Sequence, residues 1–531
     1  MEIREEIKKI VLFIIKQKWP DLNISGKEFE INYPISEFGD YSSNIALKIA
    51  SKIKKNPLEV AEEITNEIKK TNQDIFKEIS FVKPGFVNFS FKDEFLYEVI
   101  KEVLQKKENY SQILSKEKKQ KLHLDFVSAN PTGPVHLGNG RGGPFGDVLG
   151  NVFKKRGWDV WKEYYINDFG NQIKILGHSV LKDKETQYKG EYINQLHKEI
   201  KETDPFLVGQ EASQKIIQEI IKPSMEKLGI EFDEYFSEKS LHDDGKVEAV
   251  FEELEKKDLV YEKDDAVWFR STKFGDEKDR VIQKNTGEVT YFGGDIAYHK
   301  DKFERGADKA INIWGADHHG DVKRVEGAVE ALGYKGKLDI ILSQMVKIIQ
   351  DGKELKMSKR KGTYVSMDDL IDEVGKDTVR FFFLMYSYNT HINFDINLAK
   401  EQSSKNPVFY VQYAYARICS VLRKAEEAGI KFSEENINLN LLKDQKELEL
   451  IKYFLRLPEL LDDIVSEYEV HRLPHYAIEL ADKFHSFYHD CRVIDEEKID
   501  LTKARLAVVT ATKYILRETL DILGVDAPEK M

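Results

Sequence analysis

The chain has 531 residues, of which 41% are hydrophobic, and this length is too great for one core and predicts about three domains. Its formal net charge of −12 argues against a general nucleic-acid coat, although 81 lysines and arginines allow local basic patches. Two cysteines exclude a disulfide framework or a four-cysteine zinc site, and no signal peptide or membrane span is recognised, so we expect a cytoplasmic protein.

Residues 1–115 are predicted to form a small mixed α+β domain. Its first helix is amphipathic, because apolar residues recur there at helical spacing. These residues are Ile3, Ile7, Ile10, Val11 and Ile14. A second helix is predicted to begin at Asn56 and Pro57, since asparagine caps free amides and proline suits a first turn. The lysine-rich stretch 115–121 is predicted to be a linker.

Residues 116–400 begin with the first unit of a parallel α/β sheet. The segment 122–127 alternates as a strand, 128–143 is dense in glycine and proline, and apolar residues from Phe145 to Phe153 recur at helical spacing. In an open α/β sheet, ligands bind outside the carboxyl ends of the strands. The glycine-rich turn is therefore a candidate binding loop.

A second unit of the same kind follows later in the chain. It consists of a strand at 310–314, a turn at 315–320 and a helix that starts at Val322. A third strand is predicted at 339–349. The long mixed segment at about 170–290 is interpreted as an insertion that lies outside the core of the sheet.

The last part of the chain, residues 401–531, is predicted to be all helical. Asn406 and Pro407 start the first of these helices, and an Ala- and Leu-rich stretch at 501–523 predicts the last one.

Two loops carry residues suited to phosphate chemistry. The turn 131–140 offers a glycine-rich helix start, whose free amides and positive dipole end favour a phosphate, and His136 is a further donor. The second loop carries Lys356, Met357, Ser358, Lys359 and Arg360. A lysine cluster alone is often only a solvated surface, but this five-residue motif after a predicted strand is specific.

Together these two loops resemble the HIGH and KMSKS motifs of class I aminoacyl-tRNA synthetases. Further segments resemble the arginyl-tRNA synthetase family in particular, and the resemblance extends over essentially the whole chain. The segments that carry this resemblance are 128–134, 291–298, 315–320, 39–41, 85–89, 410–413 and 527–531. The resemblance implies a Rossmann-like catalytic domain, an N-terminal α+β domain that contacts the tRNA elbow and a C-terminal helical domain that binds the anticodon.

The resemblance also implies the reaction. ATP, with Mg²⁺ as part of the substrate complex, would activate L-arginine to arginyl-adenylate, and the arginyl group would pass to the 3′ end of tRNA(Arg). The implied catalytic residues are His136, Lys356 and Lys359. The implied ATP-binding residues are His136, Gly138, Asn139, Gly315, Asp317, His318, Lys356 and Lys359. The protein would supply position and charge and no catalytic base.

A pocket for arginine needs a carboxylate that can accept two donors of a planar guanidinium. Asp295 lies four residues after Tyr291, so both share one face if that segment is helical. By resemblance these two contact the guanidinium, and Asp125, Ser128 and Asn130 bind the amino and carboxylate groups. A simple packing and capping role for Tyr291 and Asp295 is the alternative.

Contacts with tRNA are implied by resemblance at four residues. These are Asn88 in the N-terminal domain, and Tyr413, Arg417 and Met531 in the C-terminal domain. Tyrosines can stack on unpaired bases, although the spacing of Tyr410, Tyr413 and Tyr415 indicates that at least one of them lies in the core. Asn88 could equally be an ordinary strand residue.

Several alternatives remain open at this stage. His485, His489 and Cys491 have a spacing that can bind zinc on a helix, but no fourth ligand is near in sequence, and we expect no metal. Another class I synthetase, or a tRNA-binding paralogue without activity, would explain part of the pattern. The second histidine of the HIGH motif is Asn139 here, which donates a hydrogen bond but carries no charge. Because His136, Lys356 and Lys359 are present, we expect an active enzyme, and we expect it to be a monomer.

Overall fold

A computed structural model describes residues 3–71, 74–113, 119–355, 366–434 and 437–531, except for the side chain of Ser36. The N-terminal part contains a four-stranded antiparallel sheet in the order β1-β2-β4-β3, together with four helices. Its elements are α1 (Ile3–Lys18), β1 (Ile31–Asn32), β2 (Tyr41–Ser43), α2 (Ile45–Ile53), α3 (Pro57–Lys70), β3 (Phe76–Val82), β4 (Phe86–Phe91) and α4 (Asp93–Lys106).

Both predicted helices are present and the predicted start at Asn56 and Pro57 is confirmed, although α2, which was not predicted, lies between them. Of the predicted apolar stripe in α1, every residue is buried except Ile10, which is partly buried against the same core. Asn56 caps α3 by accepting a hydrogen bond from the Leu58 amide, and Pro57 occupies the first turn. Most of the predicted linker lies outside the described residues, and Lys121 already begins the next strand.

The central part is built on a five-stranded parallel sheet in the order β12-β11-β5-β6-β7. Its first elements are β5 (Lys121–Phe126), α5 (Leu137–Gly140), α6 (Gly142–Lys155), β6 (Asp159–Ile166), α7 (Asn171–Leu181), α8 (Glu191–Glu199), α9 (Pro205–Ile216), α10 (Lys222–Lys227), β7 (Glu234–Ser237), α11 (Glu238–Asp243) and α12 (Lys246–Lys256). The next are β8 (Val260–Lys263), β9 (Ala266–Phe269), β10 (Arg280–Gln283), α13 (Tyr291–Glu304), β11 (Lys309–Gly315), α14 (Val322–Ala331) and β12 (Leu338–Ser343).

Two boundaries differ from the sequence-based expectation. One strand of the predicted insertion, β7, joins the edge of the parallel sheet beside β6. The predicted single strand at 339–349 is wrong, because the chain breaks at Gln344 and Met345 and continues in a different sheet. The break has a non-local cause, since the Gln344 amide donates to the carbonyl of Tyr388, which lies in a distant loop.

A small sheet in the order β14-β13-β15 follows the parallel sheet. Its elements and the short helices near it are β13 (Val346–Gln350), β14 (Lys353–Glu354), α15 (Met367–Val374), α16 (Lys376–Leu384), β15 (Ile392–Asp395) and α17 (Ile396–Ala399). The C-terminal part is helical, as predicted, and its helices are α18 (Pro407–Glu427), α19 (Gln445–Phe454), α20 (Arg456–Glu467), α21 (Arg472–Asp490) and α22 (Ile499–Leu523).

The C-terminal helix α22 is joined to the central part by buried polar contacts. Arg380 is fully buried, and its Nε donates to the Leu523 carbonyl at 2.9 Å while its Nη2 donates to Asp147 at 2.5 Å. Glu518 accepts hydrogen bonds from the Lys155 ammonium and the Ser111 hydroxyl, both at 2.8 Å. These contacts make the two parts one packed unit around α6.

No helix in the described part of the chain is long and apolar enough to span a bilayer.

Candidate active site

The carboxyl end of β5 turns sharply into the glycine-rich segment. Val127 and Ser128 both have positive φ, at 68° and 37°, which is why the strand ends at Phe126 and not at Val127. A β-branched residue in this region is strained, and such strain is concentrated at functional sites. The Ser128 hydroxyl donates to Asp125 at 2.6 Å and accepts from the Tyr165 amide at 3.0 Å, so the turn is fixed from both sides.

The predicted phosphate turn ends in a helix start that carries His136. His136 is the residue before α5, and a Cβ at Gly138 would lie 3.2 Å from its imidazole, so the ring lies over this glycine. In α6, a Cβ at Gly146 would lie 2.3 Å from the Phe126 ring, and glycine therefore lets the helix pack directly on β5. Gly138 is exposed and Asn139 is partly exposed, which leaves the amides at this helix start open to a ligand.

The glycine-rich turn is also held by Tyr192, which lies in the segment interpreted as an insertion. The Tyr192 hydroxyl donates to the carbonyl of Thr132 at 2.8 Å, and a Cβ at Gly133 would lie equally close to that hydroxyl. A larger residue at position 133 would push Tyr192 away. Asn130, in the same turn, is exposed.

Tyr291 and Asp295 lie in the first turns of α13, so the helical spacing that their pairing requires is confirmed. Thr290 caps the helix by accepting from the Gly293 amide at 3.2 Å. Tyr291 is 50% exposed, and Asp295 is partly buried one turn further on. The two side chains therefore lie one helical turn apart at the start of α13.

Buried hydrogen bonds anchor α13 to the parallel sheet. His299 bonds through Nδ1 to the Asp295 carbonyl and through Nε2 to the Asn312 amide, each at 2.7 Å. Burial lowers the pKa of His299 to about 3, so the ring is neutral and Nδ1 carries the proton that it donates. The helix that presents Asp295 is thus fixed to β11.

Asp125 belongs to the same buried network and is 3% exposed. Its Oδ2 accepts from the Lys302 ammonium at 3.1 Å and from the Tyr298 hydroxyl at 3.2 Å, while its Oδ1 accepts from Ser128. Glu163, on the neighbouring strand, accepts from Tyr298 at 2.6 Å and from Arg305 at 2.7 Å. A carboxylate has about four acceptor sites, and these three contacts hold Asp125 firmly at the carboxyl end of β5.

Glu238 is a second acidic residue beside Asp295 that the sequence did not indicate. It is 5% exposed, and a Cβ at Gly294 would lie 2.9 Å from its Oε1, which places the carboxyl group against the first turn of α13. Burial, together with the charge of Asp295, raises the pKa of Glu238 to about 8. Burial likewise raises the pKa of Asp295 to about 7. Neither carboxyl group forms an ion pair within the described part of the chain.

Glu238 could have been found if β7 had been recognised. It is the first residue after that strand, so the rule that ligands bind at carboxyl ends of parallel strands applies to it. The strand has only four residues and no clear alternation, which leaves too little pattern for the sequence to reveal it.

The second predicted turn has the expected position, at the carboxyl end of β11. Asp317 is exposed, and a Cβ at Gly315 would lie 2.5 Å from its Oδ1, so the carboxylate folds back over the glycine. His318 is exposed as well and bonds to Asp321 at 3.1 Å. Lys356 and Lys359 lie outside the described residues.

The C-terminal helices form an aromatic cavity of about 310 Å³, lined by Ser404, Phe409, Tyr410, Tyr413, Arg417 and His485. The guanidinium of Arg417 lies 4.7 Å from the centre of the Tyr413 ring. Tyr415 is 2% exposed, which confirms that at least one of the three tyrosines lies in the core. Met531 is 54% exposed and lines an adjoining cavity of about 400 Å³.

Asn88 lies in the middle of the N-terminal sheet between Ser42 and Ser80 of the neighbouring strands. It is 2% exposed, and neither its amide nitrogen nor its oxygen has a hydrogen-bond partner in the described residues. Unsatisfied buried amides are rare and need an explanation.

The three residues considered as zinc ligands, His485, His489 and Cys491, have different surroundings. His485 packs 5.2 Å from the Tyr410 ring, His489 bonds to Asp490, and Cys491 is buried. Among the described residues, no group of three or more His, Cys, Asp or Glu is arranged to hold a metal ion.

A five-stranded parallel sheet, with a histidine-bearing glycine turn at its carboxyl edge and a helical C-terminal part, defines a class I aminoacyl-tRNA synthetase. The model "tRNA synthetases class I (R), catalytic domain" matches residues 99–211 and 182–384. "Arginyl tRNA synthetase N terminal domain" matches residues 1–91, and "DALR anticodon binding domain" matches residues 411–531. The chain belongs to the arginyl-tRNA synthetase family.

Relatives of known name agree with this assignment. The arginine–tRNA ligase of Caldanaerobacter subterraneus is 42% identical, over 99% of this chain and 99% of its own length. The arginine–tRNA ligase of Bacillus subtilis is 43% identical, over 93% of this chain and 92% of its own length. The fold matches the arginyl-tRNA synthetase of Thermus thermophilus with a TM-score of 0.77 at 19% identity, over 99% of this chain and all of that one.

Proposed function

We propose that this chain is an arginine–tRNA ligase, which uses ATP to activate L-arginine and then transfers the arginyl group to tRNA(Arg). The observation that carries this proposal is the pair of carboxyl groups, Asp295 and Glu238, beside the exposed ring of Tyr291. A site with two acids, neither of them in an ion pair within the described part of the chain, fits a ligand that brings a positive charge. Among amino acids, arginine offers a planar cation whose five donors suit two carboxylates.

The roles of the remaining site residues follow from their positions. Asp125, Ser128 and Asn130 would bind the amino and carboxylate groups of arginine. His136, Gly138, Asn139, Gly315, Asp317 and His318 would bind ATP, which enters as its Mg²⁺ complex. Lys356 and Lys359 would act on the phosphates from the opposite side. The protein holds the reactants in place and stabilises charge on the phosphorus, while the arginine carboxylate is the nucleophile.

The function is tested by ATP–pyrophosphate exchange. We expect exchange with arginine and not with lysine or citrulline, because lysine lacks the planar fork and citrulline lacks the charge. The family resemblance implies that tRNA(Arg) must be present, so the assay is run with and without it. Good tRNA binding without any exchange would support the rival proposal, a tRNA-binding paralogue, which the loss of the second signature histidine at Asn139 keeps open.

The pH dependence of arginine binding is a further prediction. The carboxyl groups of Asp295 and Glu238, with pKa values of about 7 and about 8, bind a cation only when ionised. Raising the pH from 6 to 8 ionises most of the Asp295 carboxyl groups and about half of those of Glu238, so KM for arginine should fall about tenfold or more. Calorimetry in two buffers of different ionisation enthalpy should show proton release on binding at pH 7. A KM that does not change over this range, or a parallel change of KM for ATP, contradicts the prediction.

Replacing Asn139 by histidine tests the departure from the HIGH motif. The substitution Asn139→His supplies a donor that can carry a charge, and charged donors bind anionic oxygens about twice as strongly as neutral ones. We expect kcat for exchange to rise about threefold to tenfold at pH 6.5, with a smaller gain at pH 8, where the imidazole is neutral. An equal or lower kcat at both pH values would mean that the asparagine is already the better residue in this turn.

The aromatic cavity between α18 and α21 is proposed to take an unpaired base of the tRNA anticodon loop. Tyr413 offers a ring for stacking, and the Arg417 guanidinium, which donates to the Tyr413 hydroxyl at 2.6 Å, forms no ion pair within the described part of the chain that would neutralise its charge. Met531 would border the same surface. Asn88, with its unsatisfied buried amide, is proposed to contact the tRNA elbow after a small opening of its surroundings.

The substitution Arg417→Ala tests this cavity. We expect KM for tRNA(Arg) to rise about tenfold to a hundredfold, since a stacked or charged base contact contributes about 1–3 kcal/mol. Arg417→Lys should recover only part of the loss, because it keeps the charge and loses the plane. Lys424→Ala, an exposed cation on the same helix, is the matched control and should leave KM for tRNA within about twofold.

We also propose that the chain acts as a monomer in the cytoplasm. Both of its cysteines are free and buried, which suits a reducing compartment.

A further inference from the structure

The side chain of Arg141 links the phosphate turn to a second part of the fold. Arg141 lies at the junction of α5 and α6 and is 3% exposed. Its Nη1 donates to the carbonyl of Gln344 at 2.6 Å, and its Nη2 donates to the carbonyl of Ser387 at 2.9 Å. One guanidinium thus bridges two loops that are more than forty residues apart in the sequence.

The environment of this guanidinium differs from that of the other buried arginines. Arg156 pairs with Asp462 at 2.6 Å, and Arg380 pairs with Asp147 at 2.5 Å. Arg141 has no carboxylate partner in the described part of the chain, although burying a charge without an anion is costly. Burial lowers its pKa only to about 10, so the group remains positive at neutral pH.

The carbonyl groups of Gln344 and Ser387 lie just before strands β13 and β15 of the small sheet. Gln344 is the hinge between β12 and β13, and its amide donates to the Tyr388 carbonyl at 2.9 Å. Met345 accepts at 3.1 Å from the amide of Ile392, the first residue of β15. The fork of Arg141 therefore fixes the place where the small sheet leaves the parallel sheet, relative to the turn that carries His136.

We propose that Arg141 is a positioning residue for adenylate formation, which sets the spacing between the His136 turn and the small sheet and carries a buried positive charge at the end of α5. The inference rests on the proposed function and deepens it. A guanidinium suits this task because its rigid fork reaches two acceptors at once, whereas a lysine ammonium is a point donor on a flexible stem. The charge has no acid to neutralise it, so it can favour an anionic ligand nearby.

The test compares Arg141→Lys and Arg141→Gln in ATP–pyrophosphate exchange with arginine and tRNA(Arg). Arg141→Lys keeps the charge and loses the fork, and we expect kcat to fall about tenfold to a hundredfold while KM for arginine stays within about twofold. Arg141→Gln loses both the charge and the fork, and its kcat should fall further. The matched control is Arg156→Lys at the other end of α6, which should retain kcat. Melting temperature is measured for every variant.

Three outcomes would overturn the inference. The first is a kcat for Arg141→Lys equal to that of the parent chain. The second is a fall in kcat that comes together with comparable changes of both KM values and a lowered melting temperature, or loss of fold in both Arg141 variants, because either result indicates a structural role alone. The third is a parent chain without arginine-dependent exchange, which removes the proposed function and this inference with it. The fall in kcat at constant KM for arginine, with near-parent melting, is the supporting result.

Discussion

The substitution Asp295→Ala is expected to raise KM for arginine about a hundredfold or more while KM for ATP stays within about twofold. Asp295 lies one turn into α13 beside Tyr291, and Glu238 alone would then have to neutralise the guanidinium. Removing one partner of a buried charge pair costs about 2–5 kcal/mol, and about 1.4 kcal/mol corresponds to a factor of ten. The measurement is the dependence of pyrophosphate exchange on arginine and on ATP.

The variant should fold normally, because Asp295 contributes only its backbone carbonyl to the contact with His299. Removal of a carboxyl group with a raised pKa should even stabilise the free protein slightly at pH 8, where that group is otherwise buried in its charged form. Asp295→Asn keeps the shape and should lose arginine almost as severely. Glu304→Gln, an exposed acid on the same helix, is the control. Unchanged affinity for arginine would remove Asp295 from the proposed pocket.

A comparably large effect is expected for His136→Ala, this time on kcat. His136 precedes α5 and lies over Gly138, where its imidazole can donate to an oxygen of the phosphate that becomes more negative during the reaction. Loss of one such donor typically reduces kcat about a hundredfold to a thousandfold. KM for arginine should stay within about threefold, since no proposed arginine contact is touched.

The fold of this variant should be retained, because the His136 side chain does not cap α5. His489→Ala is a suitable control, since that imidazole is 87% exposed and bonds to its neighbour Asp490. If His136→Ala retained full kcat, the backbone amides of the turn would have to carry the charge stabilisation alone. If it raised KM for arginine and left kcat intact, the turn would belong to amino-acid binding instead.

Features set by nearby residues could be predicted from the sequence. The helix start at Asn56 and Pro57, and the helical pairing of Tyr291 with Asp295, depend on neighbours within one or two turns, and the structure has them as expected. The glycine-rich turn was recognisable because glycine and proline punctuate the chain locally. Both strand-turn-helix units follow the same logic.

Features set by distant contacts could not be predicted. The strand that begins at Leu338 ends at Ser343, because the next residue, Gln344, is hydrogen-bonded to Arg141 and Tyr388. Neither of these partners is close to Gln344 in sequence. Glu238 follows a strand too short to show a period, and its raised pKa depends on packing against α13. Asp125 was singled out by resemblance, whereas its partners Lys302 and Tyr298 come from a helix far along the chain.

The contacts between α22 and the central part bear on the order in which the protein folds. Asn151 donates to the Ile522 carbonyl, Lys155 to Glu518 and Arg380 to the Leu523 carbonyl, so three side chains around α6 depend on a helix far along the chain. Domains generally fold as they emerge from the ribosome, N-terminal first. Here α6, which follows the His136 turn, can complete its packing only after α22 has been made. A nascent or truncated chain without α22 should therefore hold a loosened adenylation centre.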